Sequence, residues 1–252
     1  MSKKPLTLRL AHLYPRLMNI YGDRGNILCL LHRCGARGIE LEVEELELGA
    51  KLDARGYDMV FLGGAQDREQ QRVADDLLKL KAKPLKEAAE RGVVILAVCG
   101  GYQLMGRFYR SADGSELPGA GVLDLHTVHP GADADRFIGN VVARWNGSTL
   151  VGFENHGGRT YLGEGVRPLA EVITGFGNNG DDDTEGAVDK NVYGTYLHGA
   201  LLPKNPKFAD HLIETALRLK HKDATLTEID DCVERTAHSE AVRLATGRAI
   251  IG

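Results

Sequence analysis

Cys99 stands at the end of a short apolar run and directly before two glycines, in the sequence VVILAVCGGYQ that begins at Val93. The run is continuous and rich in β-branched residues, which is typical of a central parallel strand covered on both faces. A turn at Gly100 and Gly101 into a helix from about Tyr102 would expose the thiol above an α/β sheet, and the helix N-terminus would favour its thiolate. The sequence therefore predicts a cysteine nucleophile, with a buried core cysteine as the alternative.

A cysteine nucleophile needs a general base that is close in space, and His198 is the first candidate among the nine histidines. It follows a predicted strand from Asn191 to Leu197, so it is expected at the end of a strand other than that of Cys99. His156, in the sequence ENHGGR, is the other histidine with a comparable glycine context. The pattern alone leaves a structural role for His198 equally open.

The elements around these residues follow the order of an α/β protein. Alternating or continuous apolar residues predict strands, and helical periodicity fills the segments between them. The order predicts a doubly wound, mostly parallel, flavodoxin-like sheet with right-handed crossovers. Before the Cys99 strand, the predicted strands are Leu6–Leu13, Ile39–Leu46 and Tyr57–Leu62, and the predicted helices of the chain are Ile27–Arg37, Arg68–Lys81, Pro84–Arg91 and Pro206–Lys220.

After Gln103 the segments become short and strand-like, so the sheet is expected to gain antiparallel strands. Residues 1–220 are expected to form one domain and residues 221–252 a charged tail that is helical in part. The predicted short strands are Gly119–Leu123, Arg136–Trp145, Leu150–Phe153 and Leu169–Thr174.

Three loops carry unusual combinations of residues. Gly63-Gly64-Ala65 follows the third predicted strand, where backbone N–H groups can face an oxyanion, although glycines often only make turns. The loop from Arg16 to Asn26 mixes glycines and charges with large apolar residues, and a binding or a packing role is open. The acidic loop at 178–183 reverses the calcium-loop pattern, so we interpret it as a solvated loop.

Composition excludes several classes of function. The net charge of −4 and the scattered Lys and Arg residues argue against nucleic-acid binding. Neither an apolar run of about 20 residues nor a signal peptide is apparent, so we expect a cytoplasmic protein without a transmembrane segment. The four cysteines lack a CxxC pair, so neither a metal site nor disulfides are expected. A GxxxxGK[ST] phosphate loop is absent, so no cofactor is expected in this chain.

Together, the Cys99 turn and the strand ending at His198 resemble the class I (triad) glutamine amidotransferases, and more closely their cobyric-acid-synthase-like branch. Longer stretches are similar to the GatD-type glutaminase subunits of lipid II isoglutaminyl synthase. These stretches are LYPRLMNIYGDRGN, GFENHGGRTYLG and GFGNNGDDDTEGAVDKNVYGTYLHGALLPKNP.

Carried over by position, the resemblance implies that Cys99 attacks the side-chain amide of glutamine, which gives a γ-glutamyl thioester and ammonia. His198 would shuttle the protons. The backbone N–H groups of Gly100 and of Gly64 would stabilise the tetrahedral oxyanion. Arg136 would hold the glutamine carboxylate, and Gln103 would help to shape the pocket.

Two positions depart from the common pattern of the class. Ala200 stands two residues after the histidine, where most members carry the glutamate that orients it, and Ala97 replaces a usual glycine. The first departure fits the cobyric-acid-synthase-like branch. It leaves the orienting group either absent or supplied by a partner.

The resemblance also implies a partner, a MurT-like synthetase of the Mur ligase family. That subunit would use ATP and Mg²⁺ to activate the D-glutamate of lipid II and would receive the ammonia, which gives D-isoglutamine in peptidoglycan. Three alternatives remain open: a stand-alone cysteine hydrolase of γ-glutamyl substrates, a glutaminase subunit of another amidating synthetase, and a silent binding subunit.

Overall fold

The computed structural model describes residues 6–247, so the ends of the expected domain and tail, 1–5 and 248–252, lie outside the described residues. The strands are β1 (Leu6–Leu13), β2 (Ile39–Leu46), β3 (Met59–Leu62), β4 (Val94–Val98), β5 (Phe108–Arg110), β6 (Glu116–Pro118), β7 (Leu125–Val128), β8 (Phe137–Trp145), β9 (Ser148–His156), β10 (Arg159–Leu162), β11 (Ala170–Thr174), β12 (Thr184–Glu185), β13 (Ala187–Asp189) and β14 (Val192–Thr195). The helices are α1 (Arg24–Gly35), α2 (Asp67–Asp76), α3 (Ala82–Glu90), α4 (Gly100–Met105), α5 (Leu201–Lys204), α6 (Pro206–Lys220) and α7 (Cys232–Thr246).

The central sheet has the strand order β2-β1-β3-β4-β14-β13, and all of its pairs are parallel except β13 with β14. Every residue of β3, β4 and β14 is buried, as expected of strands covered on both faces. The chain winds from β1 outward to β2 and then returns to β3 on the other side of β1. The expected doubly wound fold is therefore confirmed.

The antiparallel strands differ from the expectation, because only β13 joins the central sheet. The others form two separate four-stranded sheets, β10-β7-β5-β6 and β12-β11-β8-β9, in which only β5 and β7 pair in parallel. The long hairpin of β8 and β9 turns at Asn146 and Gly147, which both have positive φ angles, as a two-residue hairpin requires. These strands satisfy each other's hydrogen bonds and need no place in the central sheet.

Residues 119–123 do not form the expected strand. Their backbone N–H groups instead donate to carbonyls at the end of α4, as Ala120 does to Leu104 and Val122 to Met105. The segment thus satisfies the free carbonyls of a helix end. The strands on either side of this segment, β6 and β7, both pair with β5.

Helix α7 lies within the segment predicted as a tail and packs against the outer face of β8 and β9. Val242 contacts Val142 and Val151, and the His238 ring bonds the Thr149 hydroxyl at 2.7 Å. No helix within residues 6–247 is long and apolar enough to cross a membrane.

The loops that follow β1, β3, β4 and β14 all lie at the carboxyl edge of the central sheet. The order reverses between β1 and β3, which is the kind of point where open α/β sheets bind ligands. The residues expected to carry chemistry follow these same strands.

Candidate active site

Cys99 itself makes the sharp turn between β4 and α4. Its φ and ψ angles are 48° and −107°, a backbone conformation that costs a non-glycine residue about 1–3 kcal/mol. The Cys99 N–H donates to the Thr195 carbonyl at 2.8 Å, and the Gln103 N–H donates to the Cys99 carbonyl at 2.9 Å. These bonds fix the turn at the end of β4, where the sequence predicted it, but the Cys99 side chain is buried rather than exposed.

The two glycines after Cys99 have a different role from the expected one, because α4 begins at Gly100 and the positive φ belongs to the cysteine. A Cβ atom at Gly100 would lie 2.7 Å from the Ala65 carbonyl oxygen, and one at Gly101 would lie 2.6 Å from that of Gly63. Glycine is needed here because α4 packs directly on the backbone after β3.

His198 is brought to Cys99 from the end of β14. Its backbone pairs with Phe153 of β9 through two hydrogen bonds, and its side chain is fully buried. Burial disfavours the imidazolium, but the negative charges of Cys99 and Asp23 outweigh this effect and raise the pKa of His198 to about 10. The site therefore favours the imidazolium form of His198.

Asp23 is the functional residue that the sequence analysis missed. Its side chain is fully buried, and its Oδ1 lies 3.4 Å from Nδ1 of His198, a long hydrogen bond of the kind seen in unliganded catalytic sites. Asp23 is therefore a candidate, within the chain itself, for the acid that orients His198. Asp23 belongs to the loop whose mixture of glycines, charges and apolar residues had no assigned role.

Ala200, at the position of the usual glutamate, has a packing role. It adopts a positive φ of 50°, and a Cβ atom at Gly25 would lie 2.6 Å from the Ala200 Cβ. Two small residues therefore let the start of α1 approach the chain after His198. That same approach places Asp23 beside the imidazole.

The N–H expected from Gly64 is already engaged, because it donates to Asp23 Oδ2 at 2.6 Å. Gly64 must be glycine, since a Cβ atom there would lie 2.7 Å from Cε1 of His198. The next N–H, that of Ala65, has no hydrogen-bond partner among residues 6–247 and lies at the same cavity as Cys99. The free donors next to the nucleophile are therefore those of Ala65 and of Gly100, which begins α4.

A cavity of about 440 Å³ opens beside Cys99, large enough for a free amino acid. Arg136 lines it, and its guanidinium donates to the side chain and the carbonyl of Asn155 at 3.0 and 3.1 Å. Asn155 in turn donates to the Tyr21 hydroxyl. These bonds orient Arg136, whose remaining N–H groups are suited to a carboxylate.

Gln103 also lines the cavity, but both ends of its amide are bonded within the protein. Its Oε1 accepts from Gln70 at 2.9 Å, and its Nε2 donates to the Tyr196 hydroxyl at 3.1 Å. The Tyr196 hydroxyl is also bonded to Thr160 at 2.6 Å. Gln103 therefore shapes the pocket through a buried polar chain.

His156, the competing histidine, lies at the cavity wall in a structural setting. Its ring stacks on Tyr196 at 3.6 Å, and its Nδ1 bonds the Gly158 carbonyl at 2.8 Å. Burial lowers the pKa of His156, although Glu154 acts in the opposite direction. His198, rather than His156, is therefore the histidine that interacts with both Cys99 and Asp23.

The acidic loop at 178–183 is only partly solvated. Asn178 and Asn179 are buried, and Asn178 Oδ1 accepts from the Tyr102 hydroxyl at 3.0 Å and from the Gly186 N–H at 3.0 Å. The buried start of this loop therefore contacts α4 through the hydrogen bond from Tyr102. Within residues 6–247, no cluster of three or more His, Cys, Asp or Glu residues is placed to hold a metal ion.

Known proteins support the class that this fold and site define. One solved structure, of PurLQS from Thermotoga maritima, aligns with a TM-score of 0.54 at 16% identity, over 85% of this chain and 96% of that one. A second, described as a glutamine amidotransferase, aligns with a TM-score of 0.56 at 16% identity, over 82% of this chain and 98% of that one. The fold is that of the class I glutamine amidotransferases.

Residues 9–206 match the family of CobB/CobQ-like glutamine amidotransferase domains, so the chain belongs to this family and is an enzyme of the glutamine amidotransferase class. It is also similar to the GatD subunit of lipid II isoglutaminyl synthase (glutamine-hydrolyzing) from Staphylococcus aureus N315, at 42% identity over 90% of this chain and 91% of that one. The subunit of the same name from Streptococcus pneumoniae R6 is 39% identical over 94% of this chain and 91% of that one. The expected family is confirmed.

Arg136→Lys is expected to raise KM for glutamine by about 10- to 100-fold. Lysine cannot make the two hydrogen bonds to Asn155, and it lacks the planar guanidinium that donates two parallel bonds to a carboxylate. Steady-state kinetics of glutamine hydrolysis measures this. Arg144→Lys is the matched control, since Arg144 lies on β8, which begins one residue after Arg136, and pairs with Glu171. Equal KM values for Arg136→Lys and the native chain would show that Arg136 does not bind the glutamine carboxylate.

Proposed function

We propose that this chain is the glutaminase subunit of a lipid II isoglutaminyl synthase. The observation that carries the proposal is the convergence of Cys99, His198 and Asp23 at one edge of the sheet, beside a cavity with an oriented arginine. The two GatD relatives support it further, because the similarity extends over nine-tenths of each chain.

The first half of the reaction begins with the Cys99 thiolate, which attacks the carboxamide carbon of glutamine. The N–H groups of Ala65 and Gly100 stabilise the oxyanion, and Arg136 holds the α-carboxylate. His198, charged and oriented by Asp23, gives its proton to the leaving nitrogen, and the C–N bond breaks. Ammonia and a γ-glutamyl thioester result.

The second half hydrolyses this thioester. His198, now neutral, takes a proton from water, and the hydroxide attacks the thioester carbonyl in the same oxyanion site. The C–S bond breaks, glutamate leaves, and the Cys99 thiolate returns. Each turn of the cycle consumes one water and one glutamine and yields one glutamate and one ammonia.

The partner in this proposal is a MurT-like synthetase of the Mur ligase family, in the cytoplasm. With ATP and Mg²⁺ it would activate the α-carboxylate of the D-glutamate in lipid II, and the ammonia would convert it to D-isoglutamine. ATP and Mg²⁺ would bind to the partner in this proposal, because the sequence of this chain lacks the GxxxxGK[ST] motif.

Isotope transfer tests this proposal. Glutamine labelled with ¹⁵N in its side-chain amide is incubated with the chain, the co-purified synthetase, ATP, Mg²⁺ and lipid II. We expect ¹⁵N in the isoglutamine of lipid II, and none when Cys99→Ala replaces the native chain. Labelled ammonia without labelled lipid II would instead support another amidating partner.

The stand-alone cysteine hydrolase is the second candidate, because Asp23 offers within this chain the acid that the sequence left either absent or supplied by a partner. The two functions differ in their dependence on the synthetase. Glutamine turnover that is unchanged on adding the partner at saturating glutamine would favour the stand-alone enzyme, and turnover that rises would favour the subunit.

A further inference from the structure

Gln70, near the start of α2, carries a buried acceptor that nothing in the described chain uses. The residue is only 1% exposed, and its Oε1 has no hydrogen-bond partner among residues 6–247. Gln70 also lines the cavity that contains Cys99. Buried polar atoms are nearly always paired, so a free acceptor at a cavity points to a ligand that donates to it.

The orientation of the Gln70 amide is fixed by its neighbours. Its Nε2 donates to Gln103 Oε1 at 2.9 Å and lies 3.4 Å from the Ala65 carbonyl oxygen. A flipped amide would put the Gln70 oxygen against that carbonyl, which cannot donate. The hydrogen bonds of Nε2 therefore leave Oε1 as the unpaired end of this buried amide.

The Gln70 amide also lies close to the backbone of Gly100 and Ala65. A Cβ atom at Gly100 would be 3.0 Å from Gln70 Nε2 and 2.9 Å from the Ala65 nitrogen. The amide group therefore lies beside both the residue that follows the nucleophile and the free N–H of Ala65. A carboxamide carbon attacked by Cys99 has its oxygen at these N–H donors and its nitrogen free for a nearby acceptor.

We propose that Gln70 Oε1 accepts a hydrogen bond from the carboxamide NH₂ of the bound glutamine and so makes the site specific for an amide. This inference rests on the proposed glutaminase activity and assigns one residue to its substrate selectivity. The glutamate product has no such donor and presents an oxygen to Gln70 Oε1. Glutamate therefore binds more weakly than glutamine, which favours its release.

The experiment compares two substrates that differ only in this donor. L-glutamine carries the γ-amide, whereas L-glutamate γ-methyl ester keeps the α-ammonium and α-carboxylate groups and lacks the γ-N–H. In the full chain, Gln70→Leu is expected to lower kcat/KM for glutamine by about 10- to 100-fold more than for the ester, because the lost bond to Gln103 affects both substrates alike. The control is Gln71→Leu, which changes the adjacent exposed glutamine and is expected to alter neither value.

Equal losses on both substrates would overturn the proposal, because they would mean a packing role or a contact with the α-ammonium group. Gln70→Met keeps the side-chain length without the acceptor and serves if Gln70→Leu does not fold. A native chain that hydrolyses neither substrate, alone or with its synthetase, would refute the proposed function itself and this inference with it. A native chain that hydrolyses both, with a selectivity that neither variant changes, would refute only the role of Gln70.

Discussion

Cys99→Ala is expected to abolish glutamine hydrolysis and leave the fold intact. The side chain is small and 7% exposed, and the variant removes only the sulfur from a turn whose backbone is held by Thr195 and Gln103. Nothing else at that position can form the thioester, so glutamine hydrolysis by the covalent route should cease. Ammonia release from glutamine measures the rate, and circular dichroism confirms the fold.

Cys29→Ala is the matched control, since it removes a partly buried thiol from α1, 70 positions before Cys99 in the sequence. It should retain full activity. A diazo-ketone analogue of glutamine should alkylate Cys99 and leave Cys29 unmodified, which also separates an enzyme from a silent binding subunit. Glutaminase activity in Cys99→Ala would refute the assignment of Cys99 as the nucleophile.

Asp23→Asn is expected to lower kcat by about 10³- to 10⁴-fold with a much smaller change in KM. Asparagine can still accept from the Gly64 N–H through its oxygen, but its NH₂ group then faces Nδ1 of His198 and favours the wrong tautomer. The effect should therefore appear in the chemical step. Steady-state kinetics and the pH profile of kcat measure it.

Two variants make this result specific. Asp23→Glu keeps the charge and should recover part of the rate, whereas a purely structural loss would not be recovered. His156→Ala should cost far less than His198→Ala, for which we expect at least about a 10²-fold loss. If Asp23→Asn kept nearly full activity with the synthetase present, the orienting acid would come from the partner.

The central sheet followed from the sequence because its signals are local. The observed bounds of β1 and β2 equal the predicted ones, and Val94–Val98 lies within the predicted apolar run. A strand buried on both faces needs a continuous apolar run, and a strand with one solvated face shows alternation. The placement of the later strands into separate sheets depends on which strands pair, and local alternation does not encode that choice.

The site was predictable where a residue type follows a strand end, as with Cys99 and His198. Asp23 was missed because it lies 175 positions before His198 and precedes a helix like many ordinary capping residues. Gln70 was missed because a glutamine near the start of a charged helix shows no sign of burial in the sequence. In both cases the decisive information is a contact made in three dimensions.

A trapped intermediate tests the central claim most directly. The chain with its synthetase is mixed with L-glutamine, quenched in acid within the first turnover, and digested for mass spectrometry. We predict a γ-glutamyl group on the peptide that contains Cys99, removable by hydroxylamine as a thioester is, and absent from Cys99→Ala. Glutamine turnover without this adduct, or an adduct on any other residue, would contradict the mechanism.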